Sequence, residues 1–249
     1  MNLKGNTIFI TGGGSGIGLG LAEAFYKLGN RVIIGGRRRE VLDRAAAANH
    51  GMETIVLDTT DPASVRAAAE ETIRNHRDLN VVINNAGVQR VFDFAAAVPG
   101  EAAMHEEIET NINGVLRVTT AFLPHLQSKP AATLINISSG LAFVPMARYP
   151  IYCATKAFVH SFTMSLRHQL KNTSVRVVEL APPWVATDLD AMHRTSHGEA
   201  SPMPLPEFIQ AAMEELSSDA DELKVAGAKF LYSAGIGNRL TATFDQING

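Results

Sequence analysis

Apolar residues in this chain gather in short continuous runs, and each run is followed by a longer stretch in which they recur at helical spacing. Thr7-Ile8-Phe9-Ile10 is the first run; a glycine-rich turn and a helical pattern over residues 17–28 follow, stopped by Gly29-Asn30. Arg31-Val32-Ile33-Ile34 and Thr54-Ile55-Val56-Leu57 read as the second and third strands, with a helix through Val41, Leu42 and Ala45 between them. Asp61-Pro62 supplies an N-cap and a first-turn proline for a helix reaching residue 73. Further strands fall at residues 79–83, 133–137 and 175–180, separated by helices over residues 102–127 and 152–170. Strands this uniformly apolar are covered on both faces, so the alternation predicts an α/β fold with a parallel sheet between helical layers.

No linker or internal repeat interrupts the pattern, and residues 1–249 read as one domain. One region stands apart: from Asp188 to Leu205 the chain is rich in His, Ser and Pro and has no period. A loop of that length in a compact domain is functional or mobile, and a substrate loop over about residues 188–215 is expected. Toward the end, a helix is expected over residues 223–233, followed by Leu240-Thr241-Ala242-Thr243-Phe244.

Composition narrows the function classes. Hydrophobic residues make up 46% and charged residues 19%, a globular balance. The net charge of −3 lacks the basic excess that a nucleic-acid partner would call for. Cys153 is the only cysteine, so no intramolecular disulfide forms, and a reducing, cytoplasmic setting is the natural expectation. The N-terminus runs directly into an apolar strand without a leader, and no apolar run reaches membrane-spanning length. Of the eight histidines, His193 and His197 lie four apart, but without metal-ligand chemistry around them, so no metal is expected.

Two segments carry chemistry. Between the first strand and the first helix stands Thr11-Gly12-Gly13-Gly14-Ser15-Gly16-Ile17-Gly18. Glycines allow a pyrophosphate close to the backbone, and a helix N-terminus offers it free N–H groups; the alternative is a glycine-rich turn with no ligand. The second segment is Tyr152-Cys153-Ala154-Thr155-Lys156, where Tyr152 and Lys156 share one helix face. An ammonium beside a phenol favours the phenolate, which makes the pair a candidate acid/base unit for a carbonyl oxygen. Cys153 beside them reads as packing, and His160 as a structural contact.

The spacing T-G-x-x-x-G-x-G, with Tyr152 and Lys156, resembles the short-chain dehydrogenase/reductase family along nearly the whole chain. The resemblance implies a Rossmann-type, doubly wound sheet that holds a nicotinamide dinucleotide on Gly12, Gly14, Ser15, Gly16, Ile17 and Gly18. Asn84-Asn85-Ala86-Gly87 is similar to the family's N-N-A-G element, which places Asn85, Ala86 and Gly87 beside the cofactor. Asp58 falls where the family contacts adenine, and equally where a helix-preceding turn places an aspartate. Tyr152 and Lys156 also touch the cofactor in the family, as does the segment after the sixth strand, here Pro182, Val185 and Thr187. Pro183 replaces the glycine usual in that segment and removes one backbone N–H.

The same resemblance implies catalytic roles for Ser139, 13 positions before Tyr152, and for Asn111 in Asn111-Ile112-Asn113-Gly114. Ser139 would hold the substrate oxygen; Ser138 has the poorer spacing. Asn111 would hold a water that relays protons to the lysine. Leu141, Phe143, Trp184 and Met192, with Ser139 and Tyr152, are candidates for the substrate site, and core packing is an equal alternative for Phe143. The family's acidic cofactor-selecting position falls on Gly36, followed by Arg37, Arg38 and Arg39. An acid there repels a 2′-phosphate and a guanidinium binds one, so Arg37 and Arg38 predict NADPH over NADH, the alternative being a solvated basic turn.

Within the family, Ser139-Gly140-Leu141-Ala142-Phe143, Leu166-Arg167-His168-Gln169-Leu170 and Ala181-Pro182-Pro183 are similar to the DltE-like oxidoreductases. The function so implied is hydride transfer between NADPH and a small apolar ketone or aldehyde, or the matching alcohol. A redox sensor that reads NADPH without chemistry is the rival, but such proteins lose the tyrosine or lysine; an epimerase or dehydratase would have a larger C-terminal region. The C-terminus departs from the family's seventh strand and V-D-G-G-like tail, so that strand is expected to be missing. A homodimer through residues 102–127 and 152–170 is then expected, with a tetramer as the other family assembly.

Overall fold

The computed structural model describes residues 1–96, 100–189 and 201–236. Strands β1 (Thr7–Thr11), β2 (Arg31–Gly36), β3 (Glu53–Val56), β4 (Val81–Asn84), β5 (Ala132–Ile137), β6 (Val175–Ala181) and β7 (Glu222–Lys224) form one sheet in the order β3-β2-β1-β4-β5-β6-β7. Every pairing is parallel. Between the strands run helices α1 (Gly16–Lys27), α2 (Arg39–Ala48), α3 (Pro62–Asn75), α4 (Glu101–Ile108), α5 (Gly114–Gln127), α6 (Pro150–Leu170), α7 (Leu205–Ser217) and α8 (Gly227–Ile236). The strand order reverses between β1 and β4, and in doubly wound sheets ligands bind beyond the strand ends at that point.

Alternation along β1 assigns its side chains to two cores. Ile8 and Ile10 point to the face covered by α1 and α7, where Leu21, Phe25, Phe208 and Leu216 are buried. Phe9 points to the other face, covered by α3, α5 and α6, and its ring stacks on Phe122 at 4.9 Å between centroids. Asp61 caps α3 as expected, its carboxylate accepting from the Ala63 amide at 2.8 Å ahead of Pro62.

The structure corrects three expectations. First, the sheet does have a seventh strand: Leu223 of β7 registers with Leu180 of β6, and α8 begins only at Gly227. Three residues are too short to show a period, and this edge is held from outside the strand: Arg167 donates to the Asp221 carbonyl and meets Glu222, and Arg176 pairs with Asp221 at 2.7 Å. Second, the later part of the expected 188–215 loop is α7, whose Phe208, Ala212 and Leu216 recur at helical spacing behind a cluster of prolines. Third, the expected helix over 102–127 is interrupted by a π-helical turn at Glu109–Asn113. Leu240 to Phe244 lie outside the described residues.

The central strands are tied across the sheet by buried amides. Asn84 Nδ2 donates to Asn136 Oδ1 at 2.8 Å and to Thr119 Oγ1 at 3.1 Å, and Asn136 Nδ2 donates to Thr163 Oγ1 of α6 at 2.9 Å. Asn136 is wholly buried, so removing its amide leaves one of the two Asn84 amide hydrogens, and the Thr163 hydroxyl, without that partner. Asn136→Ala should therefore lower stability by about 1–3 kcal/mol. Urea denaturation reads this, and an unchanged midpoint would show that the amide line carries no stability.

Candidate active site

The turn after β1 packs too tightly for side chains. Gly12 and Gly16 adopt left-handed φ of +66° and +54°. A Cβ on Gly12 would stand 3.0 Å from the Ala86 Cα, and one on Gly18 would stand 2.4 Å from both the Gly12 carbonyl oxygen and Asn85 Nδ2. The turn is held from the end of β4: Asn85 Nδ2 donates to the Thr11 carbonyl, while Thr11 Oγ1 accepts from the Asn85 and Ala86 amides. No side chain caps the N-terminus of α1 and no acidic residue sits in its first turn. Its N–H groups are therefore available to an anion, and the cradle fits a dinucleotide pyrophosphate.

This turn forms one end of a cleft of about 1400 Å³ above the strand ends. Gly12, Gly14, Ser15, Gly16 and Ile17 line it, together with Arg37, Arg38, Asp58, Asn85, Ala86, Gly87, Pro182, Val185 and Thr187. Gly18 stands beneath the lining, packed on Gly12 and Asn85. Asp58 both lines the cleft and closes a turn, its Oδ1 accepting from the Thr60 amide and hydroxyl. Arg37 is half-exposed and lies 3.8 Å from Glu106 of α4, which also pairs with Arg90.

Ser139, Tyr152 and Lys156 all line this cleft. Tyr152 and Lys156 project from the same turn pair of α6, with Lys156 Nζ 5.6 Å from the centre of the tyrosine ring. Lys156 is 5% exposed and its ammonium donates to the Ile137 carbonyl at 2.8 Å. Burial pushes it down to about 8, against the pull of the Glu107 and Glu179 carboxylates. Ser139 Oγ accepts from the Leu141 amide at 3.1 Å, which leaves its O–H to donate elsewhere. Asn111 lies in the π-helical turn, a feature that clusters at functional sites. It is buried behind the lining and clamps the loop after β4 to α6: Oδ1 accepts from the Val88 amide, and Nδ2 donates to the Val88 carbonyl and Thr155 Oγ1.

Apolar side chains line part of the cleft, which also carries Gln89, Arg148, Asp188 and Glu207. Leu141 and Trp184 line it with Met146, Pro183, Leu189, Phe230 and Leu231. Phe143 does not reach the cleft; its ring stands edge-on to His160 and to Tyr232, each at 5.0 Å, while His160 Nδ1 meets Glu179 at 2.7 Å. Met192 lies outside the described residues. Cys153 is buried, and burial raises its thiol to about 11, the state of a packing residue. Among the described residues no cluster of His, Cys, Asp or Glu is placed to hold a metal, and no helix is long and apolar enough to cross a membrane.

Sequence reasoning missed three parts of this site. Phe230 and Leu231 come from α8, whose placement over the cleft no local motif announces. Ala226, at the entry to α8, lines the cleft in a left-handed conformation (φ +46°) that favours glycine, a strain typical of ligand sites. Glu107 is the third: wholly buried one turn before Asn111, with no hydrogen-bond partner for either carboxylate oxygen. Burial raises it to about 7, and the nearby Arg90 amide and guanidinium draw it back only in part.

A dinucleotide cradle at the switch point, opening onto a buried tyrosine–lysine pair, defines a nicotinamide-dependent oxidoreductase. Residues 6–198 match the family model for short chain dehydrogenase, and the chain belongs to the short-chain dehydrogenase/reductase family. It is 39% identical over 224 residues to an uncharacterized oxidoreductase DltE of Bacillus subtilis (strain 168), covering 90% of this chain and 89% of that one. Among solved structures it is similar to a short chain dehydrogenase from Burkholderia cenocepacia J2315 in complex with NADP, with a TM-score of 0.85 at 27% identity and 99% of both chains covered. It is also similar to a 3-ketoacyl-(acyl-carrier-protein) reductase from Brucella melitensis complexed with NADH, with a TM-score of 0.81 at 28% identity, covering 91% of this chain and 98% of that one.

The contacts around Gly18 generate a test of the cradle. The methyl of Gly18→Ala meets the Gly12 backbone, so the turn must shift. Affinity for NADP⁺, measured by calorimetry, should fall at least about 10-fold, or about 1.4 kcal/mol. Wild-type affinity would show that the turn is not what holds the dinucleotide.

Proposed function

We propose that the protein is an NADPH-dependent oxidoreductase for small apolar ketones or aldehydes and the matching alcohols. The observation that carries this reading is that Ser139, Tyr152 and buried Lys156 line one cleft with the glycine-rich cradle and apolar side chains. A bound NADPH supplies the hydride. Tyr152 donates the proton that the carbonyl oxygen takes up, and in the reverse direction accepts it. The Lys156 ammonium stabilises the phenolate left behind. Ser139, its hydroxyl oriented by the Leu141 amide, donates to the substrate oxygen. Asn111 supports the proton relay to Lys156 by fixing the π-helical turn against Val88 and Thr155. Leu141, Trp184 and Phe230 favour an apolar substrate body.

The dinucleotide would lie from Arg37, Arg38 and Asp58, past the cradle, to Asn85, Ala86 and Gly87 and to Pro182, Val185 and Thr187. The preference for NADPH rests on Gly36 and Arg37: β2 ends in glycine where an acidic residue would repel a 2′-phosphate, and a guanidinium, 3.8 Å from Glu106, follows it. The assembly proposed is a homodimer through residues 102–127 and 152–170 in the cytoplasm, with residues 1–249 acting as one domain.

A panel of benzaldehyde, cyclohexanone and acetophenone, followed by NADPH absorbance, tests the activity. On the fastest of them Tyr152→Phe should keep cofactor binding and lose about 10²-fold or more in turnover. Turnover within a few-fold of wild type would refute the mechanism.

Cofactor choice is tested by titrating NADPH and NADH separately. A charged hydrogen bond of this kind is worth roughly 1.5–3 kcal/mol, so wild type should prefer NADPH by about 10- to 100-fold. A Cβ on Gly36 would lie 3.4 Å from Leu42 Cδ2, ordinary contact, so an aspartate fits there. Gly36→Asp with Arg37→Ala should reverse the preference. Equal or tighter NADH binding by wild type would mean the arginines are a solvated turn.

A further inference from the structure

Glu107 is a carboxylate with no exposure and no well-formed hydrogen bond, approached by the Arg90 amide and guanidinium, and burying such a group is costly unless its charge is met. Glu107 lies in the last turn of α4, four residues before Asn111, so the two side chains share a face of that segment. Asn111 is bonded to Thr155, the neighbour of Lys156 on α6. A Cβ placed on Gly87 would stand 3.3 Å from Asn111 Oδ1 and 3.7 Å from Lys156 Nζ, so the amide and the ammonium bracket one glycine. The charged and titratable groups around Glu107 are Arg90 and Glu106 on one side and Lys156 and Cys153 of α6 on the other. Those acting on Lys156 are Glu107 and, more weakly, Glu179, which is already bonded to His160; Tyr152 stands across its ring face.

We propose that Glu107 is a positioning residue that acts through Lys156, as the buried countercharge that keeps it an ammonium while Tyr152 exchanges its proton. This rests on the acid/base reading of Tyr152 and Lys156 given above. Lys156 has one neutral acceptor, the Ile137 carbonyl, which holds its position without balancing its charge. Burial favours the free amine, and a free amine cannot stabilise a phenolate. Burial raises Glu107 and lowers Lys156, and each in its charged form draws the other back toward ionisation. Glu179 bonds His160 through one oxygen and leaves the other buried and unpartnered, and it acts on Lys156 more weakly than Glu107 does.

Carbonyl reduction needs both protons on the pair, phenol and ammonium, so the alkaline limb of kcat/KM reports loss of the first of them. Removing a nearby negative charge makes that loss easier. In Glu107→Gln, the alkaline limb for NADPH reduction of the fastest panel carbonyl should move down by about one pH unit. Glu107→Leu, which buries no polar group, should shift it likewise, and Glu107→Asp should keep it close to wild type. The midpoint is independent of the fraction of enzyme that is active, so a poorly folding variant still reports. A wild-type alkaline limb in either Glu107→Gln or Glu107→Leu overturns the proposal. If Tyr152→Phe is inactive while the limb stays put, only the role of Glu107 fails; if Tyr152→Phe retains turnover, the acid/base reading itself falls.

Discussion

The site is organised around one unfavourable act: a lysine ammonium is held in the interior. Lys156 is almost fully buried, and isolated burial of an ammonium is expensive unless its protons and its charge are met. The Ile137 carbonyl at the end of β5 meets one proton. The strand end, the helix that carries the lysine and the carboxylates nearby are therefore parts of a single device. In return the ammonium acts on Tyr152 through a low-dielectric space, where its charge is little screened.

The fold exists to hold that device beside a dinucleotide cradle. Reversal of strand order between β1 and β4 opens a crevice at their carboxyl ends, and the glycine turn and the Asn85–Gly87 segment come from those two strands. Asn85 and Thr11 bond the two segments together, so the cradle and the ends of the central strands β1 and β4 are tied to each other. The amide line from Asn84 through Asn136 to Thr163 ties the same strands to α6, the helix that carries Tyr152 and Lys156. Both halves of the site thus share a rigid frame, which hydride transfer between two bound partners requires.

Much of this was legible because it is written in local patterns. Uninterrupted apolar runs such as Val32-Ile33-Ile34 announced strands buried on both faces, and β1 to β6 lie where those runs fall. Fixed spacing linked the glycine turn to a helix start and Tyr152 to Lys156. What escaped depends on tertiary placement. β7 has three residues and is fastened by Arg167 and Arg176 from distant elements. α7 hides behind a run of prolines, and the π-helical turn is a deviation of backbone winding inside a stretch that reads as continuous helix. Phe143 and Phe230 look alike in sequence, yet Phe143 packs against His160 and Tyr232 while Phe230, on α8, lines the cleft, a difference that only tertiary placement sets. Glu107 gave no signal, since a glutamate on a helix is ordinarily solvated.

The central claim is that the buried ammonium of Lys156 sets the acidity of Tyr152. The ultraviolet tyrosinate titration of Tyr152, taken as the difference between the protein and its Tyr152→Phe variant, measures this without any substrate. The account predicts a midpoint well below the free-tyrosine value of about 10, and its return to that value or above in Lys156→Met. A Tyr152 that titrates as an ordinary phenol with Lys156 in place would contradict it.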